Sequence, residues 1–255
     1  MTTDAFSVPP AWGKSDLAGD VHAAADKAVR VREMFAAIAP AYDLNNRLHS
    51  IWRDQAWRRF AVCAAALSGG ETVVDVACGT GDLSLAFARA LERMGAGKVL
   101  GIDFTREMLE VARARKAHPR VQYIQGDAQD LDLPDVSADV VSIAFGIRNV
   151  QDVARALGEF RRILRPGGRL VILEFADPPN ALMRWFNGVY CRRIMPVTAT
   201  LISGDRSGAY KYLPKSVASF ASPAELRALV AAAGFSSITT TPLTFGICCC
   251  TVAVR

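Results

Sequence analysis

The chain has 255 residues, of which 51% are hydrophobic and 22% are charged, and its formal net charge is +5. This composition excludes a disordered or fibrous protein and is sufficient for one sizeable hydrophobic core. The basic excess is modest and is not concentrated in one long run, which disfavours a protein that binds nucleic acid.

The first patterned segment, residues 23–67, is predicted to be mostly helical, with an interruption at Pro40. From Glu71 onward, short runs rich in β-branched residues alternate with stretches whose apolar residues recur at helical spacing. The predicted strands are 72–77, 98–103, 121–127, 138–146, 168–176, 236–244 and 247–255, and the predicted helices between them are 82–94, 105–117, 152–165 and 222–234. This alternation predicts an α/β fold in which helices cover a parallel sheet.

The last two predicted strands are joined by a very short connection around Gly246. Parallel neighbours need a long crossover, so these two strands should form a hairpin. One antiparallel strand is therefore expected in an otherwise parallel sheet. Residues 177–220 interrupt the alternation before the last helix, and we interpret them as an insertion in a single domain, residues 1–255.

The segment VVDVACGTGD, residues 73–82, ends a predicted buried strand with Gly79 and Gly81. Ligands of open α/β sheets bind at the carboxyl ends of the strands, where glycines allow close approach of the backbone. A dinucleotide fits poorly, because Ser84 replaces the third glycine of the fingerprint and Asp82 lies where a pyrophosphate would sit. A ligand with positive charge and no phosphate fits better, and S-adenosylmethionine has an ammonium, a sulfonium, a ribose and an adenine.

Polar residues at neighbouring strand ends match the parts of this ligand. Asp103 is placed to accept hydrogen bonds from the ribose hydroxyls, and Asp127 with the amide of Ala128 could read the adenine edge. Thr80 offers a hydroxyl and an amide to the methionine part or the ribose, and Asp75 could hold the ammonium directly or through water. Any one of these residues could instead be an ordinary cap or turn residue.

Several motifs resemble known families. VVDVACGTGD, GIDFT and GDAQDL together resemble the seven-stranded class I methyltransferases. YDLNNRLHS, FGIRNV, LEFADP and GDRSGAYKYLPKSVASF, in this order, look like the ubiquinone/menaquinone biosynthesis C-methyltransferase family, and the resemblance covers the chain from about Val31 onward. It implies a Rossmann-like sheet of seven strands in the order 3-2-1-4-5-7-6, with the last strand antiparallel and helices on both faces.

The resemblance also implies a reaction, methyl transfer from S-adenosylmethionine to a ring carbon of a polyprenylated quinol, which leaves S-adenosylhomocysteine. The quinol would be demethylmenaquinol or the benzoquinol precursor of ubiquinone. The cofactor positions of the family carry over onto Thr80, Asp103, Asp127 and Ala128. Ala144 stands where some members have serine, so a contact there should be through the backbone, and Cys78 stands where glycine is more usual.

Arg148 and Asn149 follow the fourth predicted strand, at the end that would face the methyl group. A ring carbon becomes nucleophilic when the neighbouring hydroxyl loses its proton, so we hypothesise that Arg148 stabilises the phenolate and Asn149 orients an oxygen or a water. A guanidinium is too basic to accept the proton readily, which leaves water as the base. The alternative is a structural Arg148 that bonds loop carbonyls.

Tyr42, Asp43 and Asn46 are expected to belong to an N-terminal helical lid over residues 23–67. Tyr42 and Asn46 share a face if the segment is helical, and the alternative for Asp43 is a helix cap. Tyr210 and Tyr212 are expected to line the substrate pocket, and the alternative for one of them is an ordinary core residue. Residues before Lys27 fall outside the resemblance, and we expect their removal to leave activity intact.

The insertion, residues 177–220, is expected to face the substrate or a membrane. Residues 177–219 contain six Lys or Arg against two acids, a local balance of +4. The aromatic residues Trp185, Phe186 and Tyr190 are interleaved with this basic excess, as in helices that lie at anionic membrane surfaces. The alternative is a helix that packs its aromatic side chains on the core.

The six cysteines and three histidines lack the spacing of metal ligands or of a disulfide framework, so neither is predicted. No apolar stretch approaches the roughly 20 residues of a membrane span, and the first residues lack the features of a signal peptide. We expect a cytoplasmic protein, with peripheral contact at the inner face of the membrane as an extension of that expectation.

The sequence is compatible with a homodimer as well as a monomer. The competing functions are methylation of another lipidic small molecule and non-catalytic lipid binding on the same fold.

Overall fold

The computed structural model describes residues 10–13, 15–205 and 207–255. Its strands are β1 Thr72–Val76, β2 Lys98–Asp103, β3 Val121–Gln125, β4 Ala138–Ala144, β5 Leu164–Phe175, β6 Ser236–Leu243 and β7 Cys248–Val254. They form one sheet in the order β3-β2-β1-β4-β5-β7-β6. The first five strands pair in parallel, whereas β7 is antiparallel to both β5 and β6. The predicted strand order and the terminal hairpin are confirmed.

The helices are α1 Lys27–Ile38, α2 Tyr42–Ser50, α3 Arg53–Ala64, α4 Asp82–Met94, α5 Arg106–Arg115, α6 Val153–Ile163, α7 Ala181–Val189, α8 Met195–Ser203, α9 Ala209–Ala218 and α10 Pro223–Ala232. α10 begins as predicted, since Ser222 and Glu225 form a capping box and Pro223 occupies the first turn. None of the described helices is long and apolar enough to cross a membrane.

The central strands β1 and β4 are buried on both faces, which explains their continuous apolar runs. On one face, Val74 and Val76 of β1 pack in a cluster with Phe160 of α6. On the other face, Val73 packs in a cluster with Phe87 of α4. The sheet is thus fixed from both sides, and its strand ends provide a rigid base for the loops that follow them.

The N-terminal segment divides into two parts. α1 and α2, separated by a 3-10 turn that contains Pro40, pack with the insertion in a third cluster. α3 packs instead in the main core, where Trp57 is 6% exposed and Ala61 is fully buried. Within the segment predicted to be a lid, residues 23–67, only α1 and α2 lie outside the main core. We call these two helices the lid, and their role as a lid stays a prediction.

The insertion is more divided than the single basic helix that its aromatic pattern suggests. α7 continues through a π-helical turn, Tyr190–Ile194, into α8, and α9 follows separately. Pro196 has no N–H to bond the carbonyl of Arg192, which accounts for the irregular turn just before it. Arg206, one of the six basic residues counted in the sequence, lies outside the described residues.

Candidate active site

A cavity of about 770 Å³, including its open mouth, lies at the carboxyl ends of β1, β2 and β4. The sheet side is lined by predicted cofactor residues, namely Gly79, Asp103, Asp127, Ala128 and Ala144. The opposite side is lined by apolar lid residues, namely Val31, Phe35 and Tyr42. The structure thus brings the predicted strand-end residues and the lid together around one space.

The carboxylate of Asp103 is fixed by two backbone amides at the base of this cavity. The N–H of Gly79 donates to one oxygen at 2.7 Å, and the N–H of Thr105 donates to the other at 2.8 Å. Gly79 has a φ of 55°, a conformation that glycine adopts without strain. Burial raises the pKa of Asp103, and the two amide hydrogen bonds oppose that shift. The oxygens keep free lone pairs that could accept hydrogen bonds from a ribose.

Gly81, unlike Gly79, does not line the cavity, and its role is structural. It precedes α4 with a φ of 86°, and a Cβ at this position would overlap the Tyr123 hydroxyl. That hydroxyl donates to the carbonyl of Lys116 at 3.1 Å. Gly81 therefore allows the turn and the close packing of Tyr123 beneath it.

Asp127 and Ala128 follow β3 and line the cavity as predicted. The carboxylate of Asp127 accepts the backbone N–H of Gln129 at 2.9 Å and its side-chain amide at 3.1 Å. This turn holds the acceptor of Asp127 and the backbone of Ala128 at the same edge. A donor and an acceptor are thus available side by side, which suits an adenine edge.

Asp75 and Thr80 do not line the cavity in this structure. Asp75 is 1% exposed, and its two oxygens accept the hydroxyls of Ser84 at 2.6 Å and Ser142 at 2.7 Å. The Thr80 hydroxyl donates to Asp43 at 2.5 Å. Both side chains form hydrogen bonds within the protein. Their predicted contacts with the cofactor stay predictions, and each contact would require the side chain to give up its present hydrogen bond.

Lys116, which sequence reasoning missed, connects the lid to the glycine turn. Its Nζ lies 2.5 Å from the carboxylate of Asp43 and 3.0 Å from that of Asp82, and it donates to the carbonyl of Thr80 at 3.0 Å. Arg47 of α2 adds an ion pair to Asp82 at 3.0 Å. Lys116 is the C-cap residue of α5, and a lysine at a helix end gives no signal of such contacts in a sequence, because its partners come from distant segments.

The two cations of this group, Lys116 and Arg47, equal its two carboxylates in number, which changes the interpretation of Asp82. Burial alone would raise the pKa of Asp82, but the cations Arg58, Lys116 and Arg47 outweigh burial and lower that pKa. The carboxylate is therefore ionised and already neutralised by protein cations. It binds the lid here, whereas the sequence suggested a free charge that would repel a phosphate.

The other lid residues are arranged as follows. α2 is helical from Tyr42, so Asn46 lies one turn further on the same face, as predicted. Tyr42 lines the cavity, and burial raises the pKa of its phenol. Asp43 does not cap α2, whose N-cap residue is Ala41. The interaction of Asp43 with Lys116 instead fastens the lid.

Arg148 does not line the cavity. Its guanidinium is 4% exposed, pairs with Glu174 at 2.6 Å and donates to the carbonyl of Phe145 at 2.7 Å. Its Nε also donates to the hydroxyl of Ser216 at 3.3 Å. Burial raises the pKa of Glu174, and the positive charge of Arg148 opposes that shift. These contacts are the ones that the structural alternative for Arg148 describes.

Asn149 does line the cavity, one residue further along the same loop. Its Oδ1 accepts a hydrogen bond of 3.0 Å from the hydroxyl of Tyr212. Tyr210 and Tyr212, the tyrosines expected at the pocket, do not line this cavity. The Tyr210 hydroxyl accepts a hydrogen bond from Nδ2 of Asn45 at 2.7 Å. The two tyrosines lie two residues apart on α9, and the helical turn between them sends only Tyr212 toward Asn149.

No group of three or more His, Cys, Asp or Glu side chains within residues 10–13, 15–205 and 207–255 could hold a metal ion. Cys248 and Cys250 are buried on one face of β7, while Cys249 is half-buried on the other. This is the alternation expected for adjacent residues of a strand.

The model of the ubiE/COQ5 methyltransferase family matches residues 23–255. The chain is 48% identical over 217 residues to the demethylmenaquinone methyltransferase of Thermus thermophilus, a match that covers 84% of this chain and 96% of the relative. It is 42% identical over 226 residues to the ubiquinone/menaquinone biosynthesis C-methyltransferase UbiE of Geobacter sulfurreducens, with 87% of each chain covered.

Solved structures share the fold at lower identity. A SAM-dependent methyltransferase from Thermotoga maritima aligns with a TM-score of 0.59 and 22% identity, covering 88% of this chain and 98% of the other. A SAM-dependent methyltransferase from Aquifex aeolicus aligns with a TM-score of 0.58 and 17% identity, covering 83% and 96%. These likenesses confirm the class I methyltransferase fold.

Proposed function

The chain belongs to the ubiE/COQ5 methyltransferase family and is an S-adenosylmethionine-dependent methyltransferase, and we propose that its acceptor is a ring carbon of a polyprenylated quinol. The relatives named above methylate demethylmenaquinone or act in ubiquinone/menaquinone biosynthesis, according to their names. Demethylmenaquinol and the benzoquinol precursor of ubiquinone are accordingly the proposed substrates. The family membership does not favour a methyltransferase for unrelated lipids or a non-catalytic lipid-binding protein.

The observation that supports this proposal is one cavity with two chemically different sides. Asp103, Asp127 and Ala128 supply hydrogen-bonding groups on the sheet side, where they would hold the ribose and the adenine of the cofactor. Val31, Phe35 and Tyr42 supply an apolar wall on the lid side, which suits an aromatic ring and the start of a prenyl tail. The donor set thus fits S-adenosylmethionine together with an apolar acceptor.

S-adenosylmethionine supplies an electrophilic methyl group when it is bound. The protein must then place the ring carbon in line with that group, exclude water and favour the phenolate of the quinol. Asn149 lines the cavity and would bond an oxygen of the ring. Arg148 lies directly behind this loop, where its contacts with Phe145 and Glu174 fix the loop. We keep water as the base, because a paired guanidinium cannot accept a proton.

We also propose that the insertion makes peripheral contact with a membrane from which the lipid substrate enters. α7 and α8 expose large apolar side chains, with Trp185 60% exposed, Phe186 53% and Leu201 79%. Arg192 and Arg193 are exposed in the turn between the two helices. Large exposed apolar patches beside basic residues are typical of surfaces that contact anionic membranes.

The turn between α2 and α3 extends this apolar surface. Ile51 is 79% exposed and Trp52 is 57% exposed, and both have positive φ, so the chain turns sharply at this point. A hydrogen bond of 2.8 Å between His49 and Tyr190 holds the end of α2 against the insertion. The lid and the insertion therefore present neighbouring apolar residues, which supports a shared membrane-facing surface.

The experiment that tests the function is methyl transfer from labelled S-adenosylmethionine to chemically reduced demethylmenaquinol and to the reduced ubiquinone precursor, in parallel and in detergent. Product with either quinol is the expected result and identifies the ring. Failure with both quinols, together with measured cofactor binding, would leave the methyltransferase standing and overturn the proposed acceptor. Asp103→Asn serves as a control, since it should lower cofactor affinity with either quinol.

A further inference from the structure

The segment that precedes α1, residues 10–13 and 15–26, packs against the loop that carries Asn149, and we call it the strap. Trp12 is 2% exposed, and its ring stacks on Tyr212 with a centroid distance of 4.6 Å. The Tyr212 hydroxyl then donates to Oδ1 of Asn149 at 3.0 Å. Two contacts thus connect the strap to a residue that lines the cavity.

The position of Trp12 is itself fixed from several directions. Its backbone N–H donates to the carbonyl of Ser207 at 3.1 Å, and the guanidinium of Arg30 lies 5.6 Å from its ring centroid. Arg30 is held in turn by an ion pair with Asp16 at 2.9 Å. Gly208 has a φ of 88°, and a Cβ at this position would clash with the Trp12 carbonyl. A buried aromatic ring with so many neighbours has one preferred position.

A second set of contacts fastens the residues that follow Asn149. The buried Lys27 donates from Nζ to the carbonyl of Val150 at 2.6 Å. Gln151 accepts the N–H of Ala28 at 3.2 Å and donates to the carbonyl of Ala24 at 3.1 Å. Val150 and Gln151 both line the cavity. The end of the strap and the start of α1 therefore hold this loop at Val150 and Gln151.

We propose that the strap positions Asn149 for methyl transfer, with Tyr212 orienting the Asn149 amide and Trp12 holding Tyr212 in place. The Tyr212 hydroxyl donates to Oδ1 and so fixes the orientation of the amide. One N–H of Nδ2 donates to the carbonyl of Phe145 at 3.4 Å, and the other is left as the donor toward an oxygen of the acceptor. Tyr212 and Trp12 are positioning residues, since neither lines the cavity. The inference rests on the proposed quinol methylation, and it replaces the expectation that residues before Lys27 are dispensable.

Tyr212→Phe is the sharpest test, because it removes the hydroxyl and keeps the ring that stacks on Trp12. We expect kcat to fall about tenfold while the affinity for S-adenosylmethionine changes less than about twofold. In an Asn149→Ala background the same change should have no further effect on kcat, since the residue it orients is gone. Independent, multiplying losses in the double variant would overturn the proposal.

Trp12→Ala tests the outer contact. It should lower kcat as Tyr212→Phe does, and Trp12→Phe should restore most of the loss by keeping a stacked ring. Met94→Ala, which truncates a side chain that is 49% exposed at the end of α4, is the control and should leave kcat unchanged. Wild-type kcat for Trp12→Ala would refute the role of the strap.

A readout independent of substrate separates this inference from the proposed function. Hydrogen exchange of the amides in residues 147–151 should be faster in Trp12→Ala than in the wild type, while exchange in α4 stays the same. If the wild type methylates neither quinol but this difference is found, the acceptor is wrong and the strap still holds the loop. Equal exchange in the two proteins would overturn the strap whatever the substrate.

Discussion

At the scale of single residues, Asp75 is a buried carboxylate in the middle of the sheet. It is tied to α4 by Ser84 and to β4 by Ser142, so it joins three elements below the cavity. Burial raises its pKa to about 6, although the two hydroxyls oppose the shift. An acid with this pKa binds its proton more tightly in the folded protein than in the unfolded chain.

The raised pKa of Asp75 determines the direction in which the stability of the protein changes with pH. Stabilisation by protonated Asp75 is present below about pH 4 and is lost as the pH rises to about 6. Asp75→Asn has no such loss, so the stability of the variant relative to the wild type should rise across this window and then stay constant. Urea unfolding of both proteins at about pH 4 and about pH 8 measures the difference, and equal differences at the two pH values would contradict the raised pKa.

The pair of Arg148 and Glu174 gives a second prediction. Arg148→Ala leaves Glu174 buried without its cation, which should lower the free energy of unfolding by about 3–5 kcal/mol. Replacing both residues by apolar ones, Arg148→Met with Glu174→Leu, should recover most of that loss. Chemical denaturation of the three proteins measures it, and a stable Arg148→Ala protein would show that the pair is not needed for folding.

The same double variant separates the two roles of Arg148. If the charge of Arg148 acts on the phenolate, the refolded double variant should bind S-adenosylmethionine normally and still lose turnover. If Arg148 only fixes the loop, turnover should return with stability. The comparison avoids the ambiguity of Arg148→Ala alone, in which an unpaired carboxylate would disturb both quantities.

At the scale of elements, the lid is fastened by charge rather than by packing alone. Lys116 is the central cation of this group, because its side chain is 9% exposed and contacts both Asp43 and Asp82. Arg47 contacts the same Asp82 but is 24% exposed, so solvent screens its ion pair more strongly. The two cations thus form a natural comparison.

Lys116→Met should loosen α2 and raise the rate of S-adenosylmethionine dissociation about tenfold, with a smaller rise for Arg47→Met. Release of labelled cofactor into an excess of unlabelled cofactor measures both rates. A dissociation rate that is unchanged in Lys116→Met would show that the lid does not retain the cofactor. High salt should affect the wild type little, since the Lys116 pairs are largely buried.

The elements that sequence reasoning predicted correctly are those with strong local patterns. β1, β2 and β4 have runs of β-branched residues, and α10 has its cap, its proline and its apolar spacing in sequence. The π-helical turn before Pro196 in the insertion is harder to predict from sequence, because it depends on how the chain packs where the proline lacks an N–H. The sequence does not separate α3 from the lid, because the core-facing residues of α3, such as Trp57, give the same helical pattern as a lid helix would.

The residues of the candidate site also divide into those with a local sequence pattern and those without one. Asp103, Asp127 and Ala128 can be placed at this edge from the sequence, because they lie at or just after strand ends and parallel strands end at one edge. Their contacts with the cofactor stay predictions. Lys116, Glu174 and the strap cannot be placed in this way, because their partners are distant in sequence and leave no periodic trace. Tyr210 and Tyr212 could not be separated without knowing the rotation of α9.

At the scale of the whole molecule, the proposed membrane contact predicts binding to vesicles. The protein should float with liposomes that contain anionic lipid and should bind neutral liposomes less, because exposed arginines flank the apolar residues. Trp185→Ala with Phe186→Ala should weaken flotation several-fold, whereas Met94→Ala should not. Absence of binding to either type of liposome would remove the membrane proposal and leave the methyltransferase assignment untouched.

The position of β7 also affects how the protein can be made. β6 is synthesised before β7, yet β7 lies between β5 and β6 in the finished sheet. Until β7 leaves the ribosome, β5 carries an open row of backbone groups beside its apolar residues, and β6 has no neighbour. Such a growing chain offers a template for wrong pairing with other chains. The stretch CCCTVAV of β7 follows β6 in the chain and pairs with both β5 and β6, so its arrival fills the gap between them.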